Sequence, residues 1–434
     1  MRAGFLFILL FLTFTGNAQQ ETNPNDSLNR YFHPEIFWLD TTVATQYPFI
    51  DLSLNNFRFY SPEAPNWKHF FREFDAMTAE KDRKLNLYHL GGSHLQADIY
   101  THVFRTFLQT NWEDLCGERG QVFPFSIAGT NNPANYKFRS PNKWKGYRSP
   151  VTRPTTIHYG LSGIVATCAD SIIKLSFKYD RTEVRSEFKS FRILHNKGIL
   201  PYSISILNGE LGIEDIFTNE SLGYTEYFFN KEIDSLDLEF TRTSADKNPL
   251  EIYGFTFLND SPGCSYSAIG VNGAALNTYL GNENFEEQLC IYPPDLFIFS
   301  VGTNDANVPY DQFDPQHYKN NLESLIQKVL RCNPDCAILL TVPNDSYYQK
   351  KYLNRNIERQ RNVIIELAEK YKLAVWDVYG IMGELGSSKT WQNAGLMQAD
   401  LVHFTPLGYQ LKGKLLTDAF LKFLEQMRNT EKMQ

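Results

Sequence analysis

The chain has 434 residues, of which 42% are hydrophobic and 21% charged, and a formal net charge of −7. That length holds two domains with a short extra segment, and the composition is that of a packed globular protein. The acidic balance argues against a nucleic-acid partner, while 33 Phe and 24 Tyr suit β-rich structure and surfaces on which sugar rings stack.

Residues 1–18 read as a signal peptide. Arg2 is the positive flank, Phe5 to Phe14 the apolar core, and Gly16-Asn17-Ala18 a small-residue cleavage site. The apolar run is too short for a membrane span. No second long apolar run follows, and no cysteine lies at the cleavage point to carry a lipid. The mature chain is expected to be soluble and exported, periplasmic or extracellular. Residues 19–83 are polar and Asn/Pro-rich, then aromatic, and are expected to form a leader packed on the main domain.

Residues 84–129 open the first α/β stretch. The run Leu85 to Leu90 predicts a buried strand, Gly91-Gly92-Ser93 a turn, and Leu95, Ile99, Val103 and Phe107 one face of a helix that starts at the serine. Backbone N–H groups at such a strand-to-helix turn can steady an oxyanion beside the hydroxyl. Alone, Gly-Gly-Ser fits an ordinary turn as well as a nucleophile's. From 130 to 262 alternation takes over: Ile173, Leu175, Phe177 and Tyr179; Tyr202, Ile204 and Ile206; Leu236, Leu238 and Phe240. Asn208-Gly209 predicts a hairpin between two such runs. This is an all-β module of sandwich size. From 263 to 428 the αβ rhythm returns, with strands at Leu296–Val301, Ala337–Val342 and Leu373–Val378 and helices around Leu322–Leu330, from Asn354 to Tyr371, and from Pro406 onward. The expected fold class is α/β: a doubly wound parallel sheet, covered on both faces, with an all-β sandwich inserted. Its active site belongs beyond the carboxyl ends of the strands.

Three further segments fall at those strand ends. Gly270-Val271-Asn272-Gly273-Ala274 either presents glycine N–H groups to a ligand or is a plain loop. In Gly302-Thr303-Asn304-Asp305, the Asn304 amide points into a site, or one of the three polar residues caps a helix. Asp400-Leu401-Val402-His403, just before Pro406, supplies a general base and the carboxylate that holds its tautomer, or a capping Asp and a surface His. The six cysteines (Cys116, Cys168, Cys264, Cys290, Cys332, Cys336) can form disulfides in an exported compartment, and Cys332 and Cys336 are spaced to close a small loop. No histidine pair accompanies them at ligand spacing, so no metal site is expected.

Ser93, Gly273, Asn304 and His403 occur in the order of the four blocks of the SGNH hydrolases, and the chain resembles that family over residues 84–128 and 263–425. The resemblance implies a flavodoxin-like sheet with Ser93 as nucleophile, His403 as base and Asp400 as its orienter. It also implies an oxyanion hole made by the Ser93 N–H, the Gly273 N–H and the Asn304 side chain, without metal or cofactor. One position departs: Gly92 stands where the family usually has Asp. Gly91 to Asp98, Glu118 to Phe125 and Gly270 to Ala274 also look like exported SGNH proteins related to peptidoglycan O-acetylesterases, which carry an inserted β-sandwich resembling a carbohydrate-binding module. This implies a serine esterase that removes O-acetyl groups from a polysaccharide partner, peptidoglycan first, through an acetyl-serine intermediate. The same triad would serve acetylated plant or host glycans, or acetyl transfer to a sugar. Gly92 leaves room for a third reading, a lapsed enzyme that binds carbohydrate. His94, Arg119 and Asn272 are candidate pocket residues. His94 lines the acyl pocket or packs; Arg119 binds a substrate group or staples its loop.

Overall fold

The structure is a computed structural model that describes Leu39 and residues 42–432, apart from 181–186, 210–211 and 246. The expected signal peptide and the first part of the expected leader lie outside the described residues.

Six strands form the central sheet: β1 (Phe57–Phe59), β2 (Lys84–Gly91), β3 (Gly263–Gly270), β4 (Leu296–Ser300), β5 (Ala337–Val342) and β6 (Ala374–Asp377). Their spatial order is β1-β6-β5-β4-β2-β3. Strands β2 to β6 are parallel, and β1 pairs antiparallel on the edge of β6. The parallel strands therefore follow the doubly wound, flavodoxin-like order. Both faces are buried, which is why these strands read as continuous apolar runs. Within β4, Leu296 and Ile298 face one core while Phe297 and Phe299 face the other. Helices α1 (Pro65–Glu80), α2 (Tyr100–Thr110) and α5 (Pro406–Lys432) cover the first face, through Phe70, Phe104 and Phe420. Helices α3 (Pro315–Cys332) and α4 (Asn356–Tyr371) cover the second, through Leu325 and Ile364. Residues 57–80 are thus built into the sheet and its first layer, and the Trp67 indole donates to the Ile338 carbonyl of β5 (3.2 Å).

Between β2 and β3 the chain forms a seven-stranded and a four-stranded sheet. The runs at 173–179, 202–206 and 236–240 all belong to the four-stranded sheet, with alternate residues buried or, at Tyr179, Ile204 and Ile206, half-buried. That sheet packs on its neighbour face to face, with the Phe177 ring stacked 4.0 Å from Phe257. The strand Leu250–Leu258 of the larger sheet is buried at every position, so it carries no alternation. Its second face is covered too, and Tyr253 packs there with Ile157, Tyr159 and Val165.

Three expectations need correction. Asn208-Gly209 does not join paired strands. Tyr202–Ile206 pairs with Ser235–Arg242 in one sheet, whereas Ile213–Asn219 pairs with Tyr224–Ile233 in the other. The turn hands the chain from sheet to sheet, anchored where the Asp237 N–H donates to the Asn208 side chain (2.5 Å). Burial of the partner strands overrides the local turn signal. The helix opening at Ser93 stops after one turn (Ser93–Gln96), and α2 begins at Tyr100. Asp98 breaks it, with φ +47°. Its buried carboxylate pairs with Arg105 (2.9 and 3.2 Å) and Arg119 and accepts from Thr101 and Asn135. That cluster outweighs one more helical turn, yet Leu95, Val103 and Phe107 still share a core. Finally, Cys332 bonds Cys290, 42 residues away, across the ends of α3 and the short helix Phe285–Leu289. Cys336 stays a buried free thiol where the chain enters β5, so the small loop does not form.

Among the described residues no helix is long and apolar enough to cross a membrane.

Candidate active site

Strand β2 lies between β3 and β4, where the strand order reverses, and the loops after these three strands meet there. Ser93 follows β2, the 271–274 turn follows β3, and Thr303-Asn304 follows β4. The segment ahead of α5 brings Asp400 and His403 across them.

The Ser93 hydroxyl lies 2.8 Å from His403 Nε2. His403 Nδ1 lies 2.7 Å from one Asp400 oxygen, and the other accepts the backbone N–H groups of Val402 and His403, each at 3.0 Å. A proton on Nδ1 facing the carboxylate leaves the Nε2 lone pair to receive the serine hydroxyl. Burial works to raise the Asp400 pKa, but hydrogen bonds from His403 and Val402 outweigh it and hold the carboxyl below its ordinary value. The loop is clamped on both sides of the histidine. The Gln398 N–H donates to the His403 carbonyl (2.8 Å), and the Gln398 amide to the Phe404 carbonyl (3.0 Å). Thr405 caps α5, accepting the Gly408 N–H on its hydroxyl (3.2 Å), with Pro406 at the first helical position.

The Ala274 N–H donates to the Val271 carbonyl (3.1 Å), closing a four-residue turn. Gly273 occupies its third position with φ +89°, the conformation that a type II turn reserves for glycine. The Asn304 amide donates to the Ala274 carbonyl (2.8 Å), tying this turn to the loop after β4. Asp305 is the capping residue of that loop, but for a different helix. Its carboxylate accepts the Leu276 N–H at the start of Leu276–Leu280 (3.1 Å), and burial pushes its pKa up to about 6. Gly92 has a steric meaning here. A Cβ on it would lie 3.3 Å from the Asn304 amide nitrogen and 3.4 Å from the Ala274 carbonyl, so glycine leaves this bond undisturbed.

Ser93, Asn272, Gly273, Asn304 and His403 all line one cleft of about 570 Å³. Asp400 lies behind His403, and two of the candidate pocket residues do not line the cleft either. His94 is buried; its Nδ1 lies 2.9 Å from the Tyr409 hydroxyl and its ring packs 5.1 Å from that of His403. Burial, then Lys412 and His403, keeps its pKa well below the ordinary value, so it is a neutral wall behind the His403 ring. Arg119 points inward to Asp98 and lies over the Tyr136 ring, away from the cleft. Asp98 draws Arg119 inward, and the Tyr409 hydroxyl holds His94 behind the His403 ring. Gln96, Asn131, Asn132 and Gln398 line the cleft and were missed by sequence reasoning. Of these only Gln96 carried a signal, a polar residue three positions after the serine. Among the described residues no set of three or more His, Cys, Asp or Glu converges to hold a metal.

The profile of the GDSL-like lipase/acylhydrolase family matches residues 254–411. That span holds Gly273, Asn304, Asp400 and His403 but not Ser93, which the antiparallel sheets separate from it in sequence. No curated protein sequence matches the chain. The solved structure of a peptidoglycan O-acetylesterase is similar with a TM-score of 0.69 at 19% identity, covering 87% of this chain and 98% of that one. A lipase/acylhydrolase from Enterococcus faecalis matches at 21% identity and TM-score 0.29, covering 36% of this chain and 75% of its own. An acetylxylan esterase from Geobacillus stearothermophilus matches at 19% identity and TM-score 0.29, covering 38% and 73%. Residues 254–411 are thus similar to the GDSL-like lipase/acylhydrolase family, and the loops they carry lie at the switch point of the doubly wound sheet.

Proposed function

We propose that this chain is an exported serine esterase that removes O-acetyl groups from a cell-wall polysaccharide, peptidoglycan first, through an acetyl-serine intermediate. The observation that carries this reading is the run of contacts from Ser93 to His403 (2.8 Å) to Asp400 (2.7 Å) at the cleft. In the first step the Ser93 oxygen attacks the acetyl carbonyl while its proton passes to His403 Nε2. The oxyanion is held by the Ser93 and Gly273 N–H groups and the Asn304 amide. His403 then gives the proton to the departing sugar oxygen, leaving acetyl-Ser93. Water, deprotonated by His403, attacks that ester; acetate leaves and the proton returns to Ser93.

The cleft supports a glycan substrate. Apart from His403 its lining has no ionisable group but the Tyr409 phenol, and it is rich in carboxamides: Asn131, Asn132, Asn272, Asn304 and Gln398. Such groups pair with hydroxyl and acetamido groups. The protein similar in fold is a peptidoglycan O-acetylesterase. We take residues 84–129 and 263–428 as the hydrolase domain and 130–262 as an inserted glycan-holding module. The Cys290–Cys332 bond suits an exported compartment.

A serine-reactive phosphonate followed by mass spectrometry is expected to label Ser93. The parent is expected to release acetate from O-acetylated peptidoglycan faster than from acetylated xylan, and Ser93→Ala to release almost none. Parent-like turnover of p-nitrophenyl acetate by purified Ser93→Ala would overturn the assignment; faster release from xylan would move the substrate to plant glycans.

A further inference from the structure

Gln96 sits on the same helical turn as Ser93 and is buried, 3% exposed. Three of the four hydrogen-bonding capacities of its carboxamide are used between separate segments. Its oxygen accepts the Asn272 N–H (2.8 Å), and its nitrogen donates to the Thr130 hydroxyl (3.1 Å) and the Asn131 carbonyl (2.8 Å). The amide cannot be reversed, because a flip would set donor against donor at Asn272 and acceptor against acceptor at Asn131. Asn272 precedes Gly273 in the turn after β3. Asn131 and Asn132 form a wall of the cleft contributed by the segment leading into the antiparallel sheets. The backbone approach is also close: a Cβ on Gly270, at the end of β3, would meet the Gly92 carbonyl at 2.6 Å and the Gln96 backbone nitrogen at 2.7 Å.

We propose that Gln96 is a positioning residue that locks the oxyanion-forming turn at 271–274 to the 130–132 wall, so that substrate seated on the wall is held in register with the reacting carbonyl. This rests on the esterase reading above. The two ends of the amide have separable duties. The Asn272 end fixes the Gly273 N–H and so acts on the chemical step, where a displacement on the order of 1 Å costs about 100-fold. The Thr130 and Asn131 end fixes the wall, and acts on binding of a glycan large enough to reach it.

The test compares parent, Gln96→Ala, Gln96→Glu, Thr130→Val and Ser93→Ala on p-nitrophenyl acetate, which is too small to span to the wall, and on an O-acetylated peptidoglycan fragment. Gln96→Ala is expected to lose about 10- to 100-fold in kcat on the small ester. Gln96→Glu, which still accepts the Asn272 N–H but cannot donate to the Asn131 carbonyl, is expected to recover most of that kcat while showing a raised KM for the fragment. Thr130→Val, which leaves the Asn272 bond intact, is expected to match the parent on the small ester and raise KM several-fold on the fragment. If Gln96→Ala keeps parental kcat, or if Ala and Glu lose equally in both assays, the coupling is overturned. Should Gln96→Ala fail to fold, Thr130→Val decides alone, and an unchanged KM for the fragment overturns the proposal. Ser93→Ala separates the two levels: an active Ser93→Ala defeats the esterase reading itself, whereas an inactive one beside indifferent Gln96 variants defeats only this inference.

Discussion

At the scale of single residues, the function proposed above gives Asn304 two partners for one amide. One N–H is committed to the Ala274 carbonyl, which leaves the second for a developing oxyanion. Asn304→Ala is therefore expected to remain folded and to lose about 10²–10³ in kcat, the usual cost of one oxyanion donor. Circular dichroism checks the fold, and steady-state hydrolysis of p-nitrophenyl acetate the turnover. The contrast between Asn304 and its neighbour Asp305 shows where reasoning from sequence stopped. Both residues suit a loop after a buried strand and both suit a cap. Only the approach of Leu276 from the loop after β3 shows that Asp305 is the cap, which frees Asn304 for the cleft. His94 makes the same point in reverse. Its place beside the serine left pocket and packing both open, and burial behind His403 shows that it packs.

At the scale of elements, α5 follows the proposed base His403 and holds an unusual cation. Lys412 is buried over the rings of Tyr100 (4.8 Å) and Phe404 (5.2 Å), and burial depresses its pKa from 10.5 to about 7. The native chain then binds fewer protons than the unfolded chain between about pH 7 and 10.5, so this group makes stability rise with pH across that window. Lys412→Met keeps the packing stem and removes the charge. It is expected to be more stable than the parent at pH 6–7 and to lack the alkaline rise, as read from melting temperatures between pH 6 and 10. The turn at Ser93 teaches a related lesson. Apolar spacing identified the buried face of Leu95, Val103 and Phe107, because that face is set by local periodicity. The interruption at Asp98 was invisible, because the groups that cause it, Arg119 and Asn135 among them, come from outside the helix.

For the whole molecule, the Cys290–Cys332 bond joins residues 42 positions apart and closes a segment that contains β4 and all of α3. Cross-links of this length stabilise by about 2–4 kcal/mol, mainly by restricting the unfolded chain. Cys290→Ser is expected to lower the urea midpoint accordingly, and a reducing agent to shift the parent by the same amount while leaving the variant unchanged. The antiparallel sheets belong to the same continuous core as one face of the parallel sheet, with Leu90 and Phe299 in one cluster with Phe255 and Phe177. Four of the five parallel strands (all but β3), helices α3, α4 and α5, the buried face of α2 and the residues of the four blocks could be read from the chain alone. Their signals are local: continuous apolar runs, helical spacing, and polar residues at strand ends. Tertiary structure alone decided which sheet each antiparallel strand joined across Asn208-Gly209, which cysteine Cys332 met, where Arg119 pointed, and which amides formed the cleft around Ser93. Each of these depends on burial and hydrogen bonding between segments far apart in the chain, and neither carries a periodicity that a single stretch of sequence can display.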